Sequence, residues 1–218
     1  MTTLYQPVLA ASDAFTFAID FMLDDTQATG NKKYAILASS YHSANGVKSG
    51  FGIFKNLTSG NSDSGCIEVG FGDMYNSSNQ RVIISNSYNS NMRNIVVIRH
   101  PKNQPTLHIY SSLSGEQTLP SSDVFVTSIT RNGSSEFNSN AYLNIGQLID
   151  SSRETIASND GILNDVVNAK GTIYWAKYWN EDLGVGECKR LAAWPHEQLT
   201  FGLAYNYRNP NTTTTNRT

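Results

Sequence analysis

Three short segments join a tyrosine to a histidine or an asparagine and continue to a further asparagine: Tyr41-His42 before Asn45, Tyr75-Asn76 before Asn79, and Tyr88-Asn89 before Asn91. An aromatic face can pack on the apolar side of a sugar ring, while amides and imidazoles hydrogen-bond its hydroxyls. Each segment follows a predicted strand, so the three can converge at one edge of a sheet. The pattern predicts a carbohydrate-binding rim; the alternative is that these residues only fill the polar side of a β-rich surface.

A second group of aromatic residues lies in the segment 172–179. Period-2 alternation predicts that Trp175 and Trp179 share a face with Lys177, while Tyr174 and Tyr178 lie on the other face. These rings can form a stacking platform, but we expect most of them to pack in the core and between strands.

Residues arranged for catalysis are absent from the sequence. A retaining glycosidase needs two carboxyl groups about 5 to 5.5 Å apart, as a Glu-x-Asp-x-x-Glu strand supplies, and no such pattern occurs. No His-x-x-x-His pair, Gly-x-Ser-x-Gly elbow, phosphate-binding glycine loop or Cys-x-x-Cys motif is present. We therefore predict a chain without enzymatic activity or cofactor, although a catalytic site assembled from distant residues stays an alternative.

Metal binding is also not expected. Calcium needs several carboxylate and carbonyl oxygens within a small radius, and the aspartates near predicted loop ends form no compact ligand loop. The isolated histidines lack the spacing of a zinc site.

Short strands separated by segments rich in Asn, Ser and Gly dominate the chain. Phe15, Phe17, Ile19 and Phe21 alternate with smaller or polar residues, as in a strand with one buried face. Loops are predicted at 41–46 and 148–170, and a hairpin at 94–112. Segment 172–179 predicts a long central strand, followed by a helix with Asp182 as N-cap and Pro195 as its stop. Further strands are predicted at 34–40, 50–57, 67–73, 80–86 and 124–130.

The final strand and helix, with Gly171 before them and an Asn-x-x-Leu turn at 180–183, resemble the closing motif of the laminin-G-like, concanavalin A-like jelly roll. Three upstream segments agree with this family in order: 14–21, the pair 94–100 and 106–110, and 142–146. The resemblance covers roughly residues 14–203. It implies an all-β, two-sheet antiparallel sandwich with one short helix near the C-terminus, a domain at 14–205, an arm or edge strand at 1–13, and a tail or linker at 206–218.

Members of this family commonly bind sugars or proteins, often with calcium, and this chain looks most like the versions in bacteriophage tail, fibre and virion proteins. The resemblance implies a module on the virion surface, assembled in the host cytoplasm, with cell-surface glycans and other virion subunits as partners. A homo-oligomer is possible. The alternatives are a purely structural decoration or adaptor subunit and a carbohydrate-binding module of a bacterial enzyme.

Charge, hydropathy and cysteine content bear on nucleic-acid binding, membrane insertion and disulfide formation. The 218 residues include 16 basic and 18 acidic residues, for a net charge of -2, which gives no reason to expect a nucleic-acid partner. No stretch is long and apolar enough to predict membrane insertion, and the N-terminus lacks a classical secretion signal. We expect Cys66 and Cys188 to be buried free thiols, with a disulfide as the alternative.

Overall fold

A computed structural model describes residues 14–24, 34–39, 42–44, 47–57, 65–72, 74, 80–85, 93–112, 124–130, 143–146 and 166–193. The predicted arm at 1–13 and tail at 206–218 lie outside these residues. The described elements are β1 (Phe15–Leu23), β2 (Tyr34–Ser39), β3 (His42–Ala44), β4 (Val47–Ser49), β5 (Phe51–Asn56), β6 (Ile67–Phe71), β7 (Arg81–Ser85), β8 (Arg93–His100), β9 (Thr106–Ser112), β10 (Phe125–Thr130), β11 (Asn144–Ile145), β12 (Val166–Asn168), β13 (Gly171–Trp179) and α1 (Gly184–Ala193).

The first sheet contains five antiparallel strands in the order β10-β9-β8-β1-β13. Its β8–β9 hairpin confirms the one predicted at 94–112. The turn is held by His100, whose Nε2 donates a 2.7 Å hydrogen bond to the Gln104 carbonyl. The segment predicted as a central strand is instead the last strand in this described order. Its aromatic residues contact the core on one side and α1 on the other, so its sequence resembles that of a strand buried on both faces.

The second sheet has six strands. Five of them are antiparallel in the order β11-β2-β5-β6-β7, and the sixth, β12, pairs parallel to β2. Two loop predictions are wrong in part. The 41–46 segment contains β3, which pairs with β4, and the 148–170 segment contains β12. Strands of three residues carry too little apolar alternation to be distinguished from loops in the sequence.

The main core lies between the two sheets. It contains the alternating residues of β1, from Phe15 to Leu23, together with inward residues of the second sheet such as Phe51, Ile53 and Val69. The fold is therefore the predicted two-sheet antiparallel jelly-roll sandwich with one short helix near the C-terminus.

A second cluster lies on the outer face of the five-stranded sheet, where α1 covers it. Cys188, Leu191 and Ala192 of the helix pack against Ala18, Val97 and other residues of that face. The helix begins as predicted, because Asp182 Oδ1 accepts a 2.7 Å hydrogen bond from the Gly184 backbone N–H. Among the described residues, no helix has the length and apolar character needed to cross a membrane.

Candidate functional site

The rim residues predicted from the sequence fall mostly outside the described part of the chain. Tyr41, Tyr75, Asn76, Tyr88 and Asn89 are not among the described residues, and His42 is described only through its backbone, which begins β3. Their role in binding therefore stays a prediction.

The strands that precede these segments are described. They show that the segments leave the six-stranded sheet from different ends. Pairing places the end of β2, the start of β5, the end of β6 and the start of β7 together. The segments with Tyr41 and Tyr75 therefore leave from one end. Ser85, where β7 ends, pairs with Ile67 at the opposite end, so the segment with Tyr88 begins there.

The outer face of the six-stranded sheet carries a cluster that the sequence analysis missed, which we call the Arg81 cluster: Tyr34, Phe54, Asn56, Glu68 and Arg81. Phe54 and Glu68 alternate with core residues of β5 and β6, so they point away from the core. Glu68 is fully buried and accepts a 2.6 Å hydrogen bond from Asn56 Nδ2. Its other oxygen, Oε2, lies 3.1 Å from Arg81 Nε as an ion pair.

Arg81 is held from two directions. Its Nη1 donates a 2.9 Å hydrogen bond to the Tyr34 hydroxyl, and its Cζ lies 5.8 Å from the centre of the Tyr34 ring. That ring meets Phe54 edge to face, with centroids 5.1 Å apart. The Arg81 side chain remains 18% exposed, and within the described part of the chain Nη2 has no hydrogen-bond acceptor. Among the described residues, both N–H groups of Nη2 are therefore left to donate to a ligand oxygen.

A second polar cluster lies on the outer face of the five-stranded sheet, which we call the Tyr174 cluster: Asp20, Met22, Arg93 and Tyr174. Asp20 is fully buried on this face, and Arg93 Nε lies 2.8 and 3.0 Å from its two oxygens. The Arg93 guanidinium lies 4.1 Å from the centre of the Tyr174 ring.

The predicted placement of Tyr174 beside Tyr178 is wrong, because a β-bulge interrupts the register. Asp20 pairs with Trp175 and Phe21 with Ile173, so Tyr174 is the extra residue of β13. The bulge puts Ile173 and Tyr178 on the core side and leaves Tyr174 on the outer face with Trp175. Trp175 and Trp179 are half-buried beside α1, as expected for packing residues.

Charges also converge near the start of α1. Arg99 Nε and Nη2 donate to the two oxygens of Asp182 at 2.5 and 2.6 Å. The hydrogen bond from Arg99, followed by that from the Gly184 backbone, lowers the pKa of Asp182. Burial and then the charge of Arg99 lower the pKa of the nearby His108. Because Asp182 also caps the helix, we assign this group to holding α1 on the sheet.

Among the described residues, no group of three or more His, Cys, Asp or Glu side chains is arranged to hold a metal ion. The buried carboxylates Asp20 and Glu68 face arginines instead. One sequence signal could have identified both clusters: an acidic residue in the middle of an otherwise apolar strand, as in Phe-Ala-Ile-Asp20-Phe and Ile-Glu68-Val.

Comparison with solved structures finds the same fold in sialidase-associated domains. The structure is similar to the CBM40 domain of the Ruminococcus gnavus IT-sialidase, with a TM-score of 0.51 and 10% identity over 84% of each chain. The same domain bound to α2,3-sialyllactose gives a TM-score of 0.50 with 11% identity over 83% of each chain. A leech intramolecular trans-sialidase also gives 0.50 and 11%, over 84% of this chain and 23% of the leech chain.

At these identities the likeness establishes the jelly-roll fold. No protein-family model matches the sequence, and no curated protein sequence matches it either.

Proposed function

We propose that this chain is a non-catalytic glycan-binding module in which Arg81 contacts the carboxylate of an acidic sugar. The observation that carries the proposal is the half-buried guanidinium on an outer sheet face, anchored through Nε and Nη1, whose Nη2 meets no acceptor among the described residues. A fixed guanidinium presents its remaining N–H groups without the loss of side-chain freedom that a mobile arginine undergoes on binding.

Short-range recognition is favoured over long-range attraction at this site. Glu68 compensates the charge of Arg81, so the pair is close to neutral when viewed from a distance. Affinity then depends on the hydrogen bond formed at contact, and a carboxylate oxygen makes a stronger bond to a guanidinium than a hydroxyl does. The fold likeness to a CBM40 domain bound to α2,3-sialyllactose, a sugar that carries a carboxylate, supports the same ligand class.

The test compares 3′-sialyllactose with lactose by isothermal titration calorimetry, because the two sugars differ by the acidic residue. We expect the wild-type chain to bind sialyllactose more tightly than lactose. Arg81→Lys keeps a positive charge beside Glu68 but loses the guanidinium fork, and we expect an affinity loss of about tenfold or more, or about 1.5–3 kcal/mol.

Arg190→Lys is the matched control. Arg190 pairs with Glu187 on the exposed side of α1, so the same substitution there leaves the proposed site intact. Equal affinity for lactose and sialyllactose in the wild-type chain, or an equal loss in both arginine variants, contradicts the proposal. Thermal unfolding of each variant establishes that it is folded before binding is compared.

The predicted rim residues are proposed to contact the rest of the glycan. Tyr41→Ala, Tyr75→Ala and Tyr88→Ala belong in the same titration series, together with His42, Asn76 and Asn89. Because the segments with Tyr41 and Tyr75 leave the sheet at one end and that with Tyr88 at the other, we expect the first two variants to act on the same ligand.

For the biological setting we propose the surface of a bacteriophage virion, where such a module contacts host glycans and other virion subunits. Likeness to a domain of a sialidase supports the alternative of a module belonging to a bacterial enzyme equally well. A purely structural virion subunit is the second alternative, and exposed Phe125 and Val126 on β10 are the observation that favours it. Binding to intact cells separates the glycan-binding settings from the structural one.

A further inference from the structure

The Tyr174 ring is one of the few large apolar side chains exposed in the described part of the chain, at 39%. It reaches the outer face because the bulge opposite Asp20 adds it to β13. Strict alternation would have turned it into the core. The bulge thus places an aromatic ring at the surface of a strand whose neighbouring residues pack against the core and the helix.

The inner face of this ring is fixed by its neighbours. Arg93 lies under the ring at 4.1 Å and is itself held by both oxygens of Asp20. The Tyr174 hydroxyl lies 3.8 Å from Met22 Sδ. A ring held in this way loses little side-chain freedom when a ligand covers its open face, so it is preorganised for stacking.

Polar residues lie on the same outer face as the ring and at the adjoining strand ends. Thr172 is exposed and lies opposite Met22, on the same outer face as Tyr174. Asp24 and Lys170, at the adjoining strand ends, are also exposed, and the Asp24 backbone N–H donates to the Lys170 carbonyl. An exposed aromatic ring with a hydroxyl on its own face and charged residues at the adjoining strand ends matches a pyranose, which has an apolar C–H face and a rim of hydroxyls.

We propose that Tyr174 is the stacking platform of a second sugar-binding site, which takes the apolar face of a neutral pyranose. The ligand class differs from that of Arg81 because Arg93, the guanidinium under the ring, is buried and already paired with Asp20. Arg93 therefore offers an acidic sugar no ion pair. The two sites lie on the outer faces of opposite sheets, so this proposal does not depend on the one for Arg81.

The experiment titrates the full chain with three neutral probes, lactose, cellotetraose and mannotriose, using saturation-transfer NMR to detect contact and calorimetry to measure affinity. We expect at least one probe to bind the wild-type chain and Tyr174→Phe within about threefold of each other. Tyr174→Ala and Tyr174→Leu should each lose tenfold or more, since neither offers an aromatic face. Tyr174→Leu keeps an apolar cover over Arg93 and guards against a loss that arises from unfolding.

Phe125→Ala is the matched control, because Phe125 is an equally exposed aromatic residue, at 38%, on the other outermost described strand of the same sheet. We expect this variant to bind the neutral probe like the wild type. The proposal is overturned if no probe binds the wild type at millimolar concentration, if Tyr174→Leu binds as well as Tyr174→Phe, or if Phe125→Ala loses as much as Tyr174→Ala.

Discussion

Two fully buried carboxylates, Asp20 and Glu68, lie on the outer faces of the two sheets, and each is paired with an arginine from a neighbouring strand. Removing such a charge from water costs several kcal/mol, and the cost is offset only when partners with good geometry surround the group. Asp20 meets this condition through Arg93, whereas Glu68 accepts a hydrogen bond from Asn56 through one oxygen and faces Arg81 as an ion pair through the other. Each arginine in turn contacts a tyrosine ring. The arginine that pairs with each buried carboxylate therefore also holds an aromatic side chain in place.

The Asp20–Arg93 pair is expected to matter for stability. Arg93→Met leaves the Asp20 carboxylate buried without its partner, and we expect the free energy of unfolding to fall by about 3–5 kcal/mol. Urea denaturation measures this change. The same substitution at Arg190, which pairs with Glu187 on the exposed side of α1, should cost less than about 0.5 kcal/mol. Similar losses in the two variants would show that Asp20 is solvated rather than buried.

At the scale of elements, β13 lies so close to β1 that one of its positions has no room for a side chain. A Cβ at Gly171 would come within 2.1 Å of the Met22 carbonyl oxygen, and its φ of 143° lies in a region that residues with side chains avoid. This contact lies beside the bulge that exposes Tyr174. The geometry of the proposed sugar platform therefore depends on the close approach of these two strands.

Gly171→Ala is expected to destabilise the protein by more than about 1 kcal/mol, because the backbone must move away from β1 to accept the methyl group. Gly186→Ala is the control, because the same substitution there is expected to change stability in the opposite direction. Gly186 lies inside α1, where an added Cβ meets no atom within 4 Å, so alanine should stabilise the protein by about 0.5–1 kcal/mol. Thermal unfolding of both variants tests the pair, and a stabilising Gly171→Ala would contradict the described packing of β13 on β1.

Considered as a whole, the molecule has a sandwich core between its sheets and a second cluster between one sheet and α1. The two cysteines are in separate places: Cys66 immediately precedes β6 of the six-stranded sheet, and Cys188 lies in α1 against the other sheet. Both are buried free thiols, which confirms the expectation from the sequence over the alternative of a disulfide. Covalent crosslinking by these residues therefore contributes nothing to the stability of the fold.

Both thiols should be unreactive in the native protein. Burial raises the pKa of Cys188 to about 12, which keeps the group protonated at neutral pH, and Cys66 is only 2% exposed. We expect 5,5′-dithiobis(2-nitrobenzoic acid) to modify neither cysteine of the folded chain and both in urea. A reducing agent should leave the melting temperature unchanged. Rapid modification of one thiol without denaturant would be inconsistent with this burial.

Local patterns in the sequence determined much of the architecture. The alternation of Phe15, Phe17, Ile19 and Phe21 identified β1, the two apolar runs at 94–112 identified a hairpin, and Asp182 marked the start of α1. These features depend on residues a few positions apart, so periodicity and capping rules are sufficient to predict them. The order of the strands and the motif at 171–183 then indicated the jelly roll.

Only the tertiary structure decided which residues meet across the sheets. Asp20 and Arg93 are 73 residues apart, and Arg81 and Tyr34 are 47 apart, so no local pattern pairs them. The outward position of Tyr174 depends on one extra residue in β13 opposite Asp20. Because side chains alternate with a period of two, a shift of one residue moves a side chain to the other face of the sheet. The shift is set by how β13 pairs with β1, so it cannot be predicted from the sequence of β13 alone.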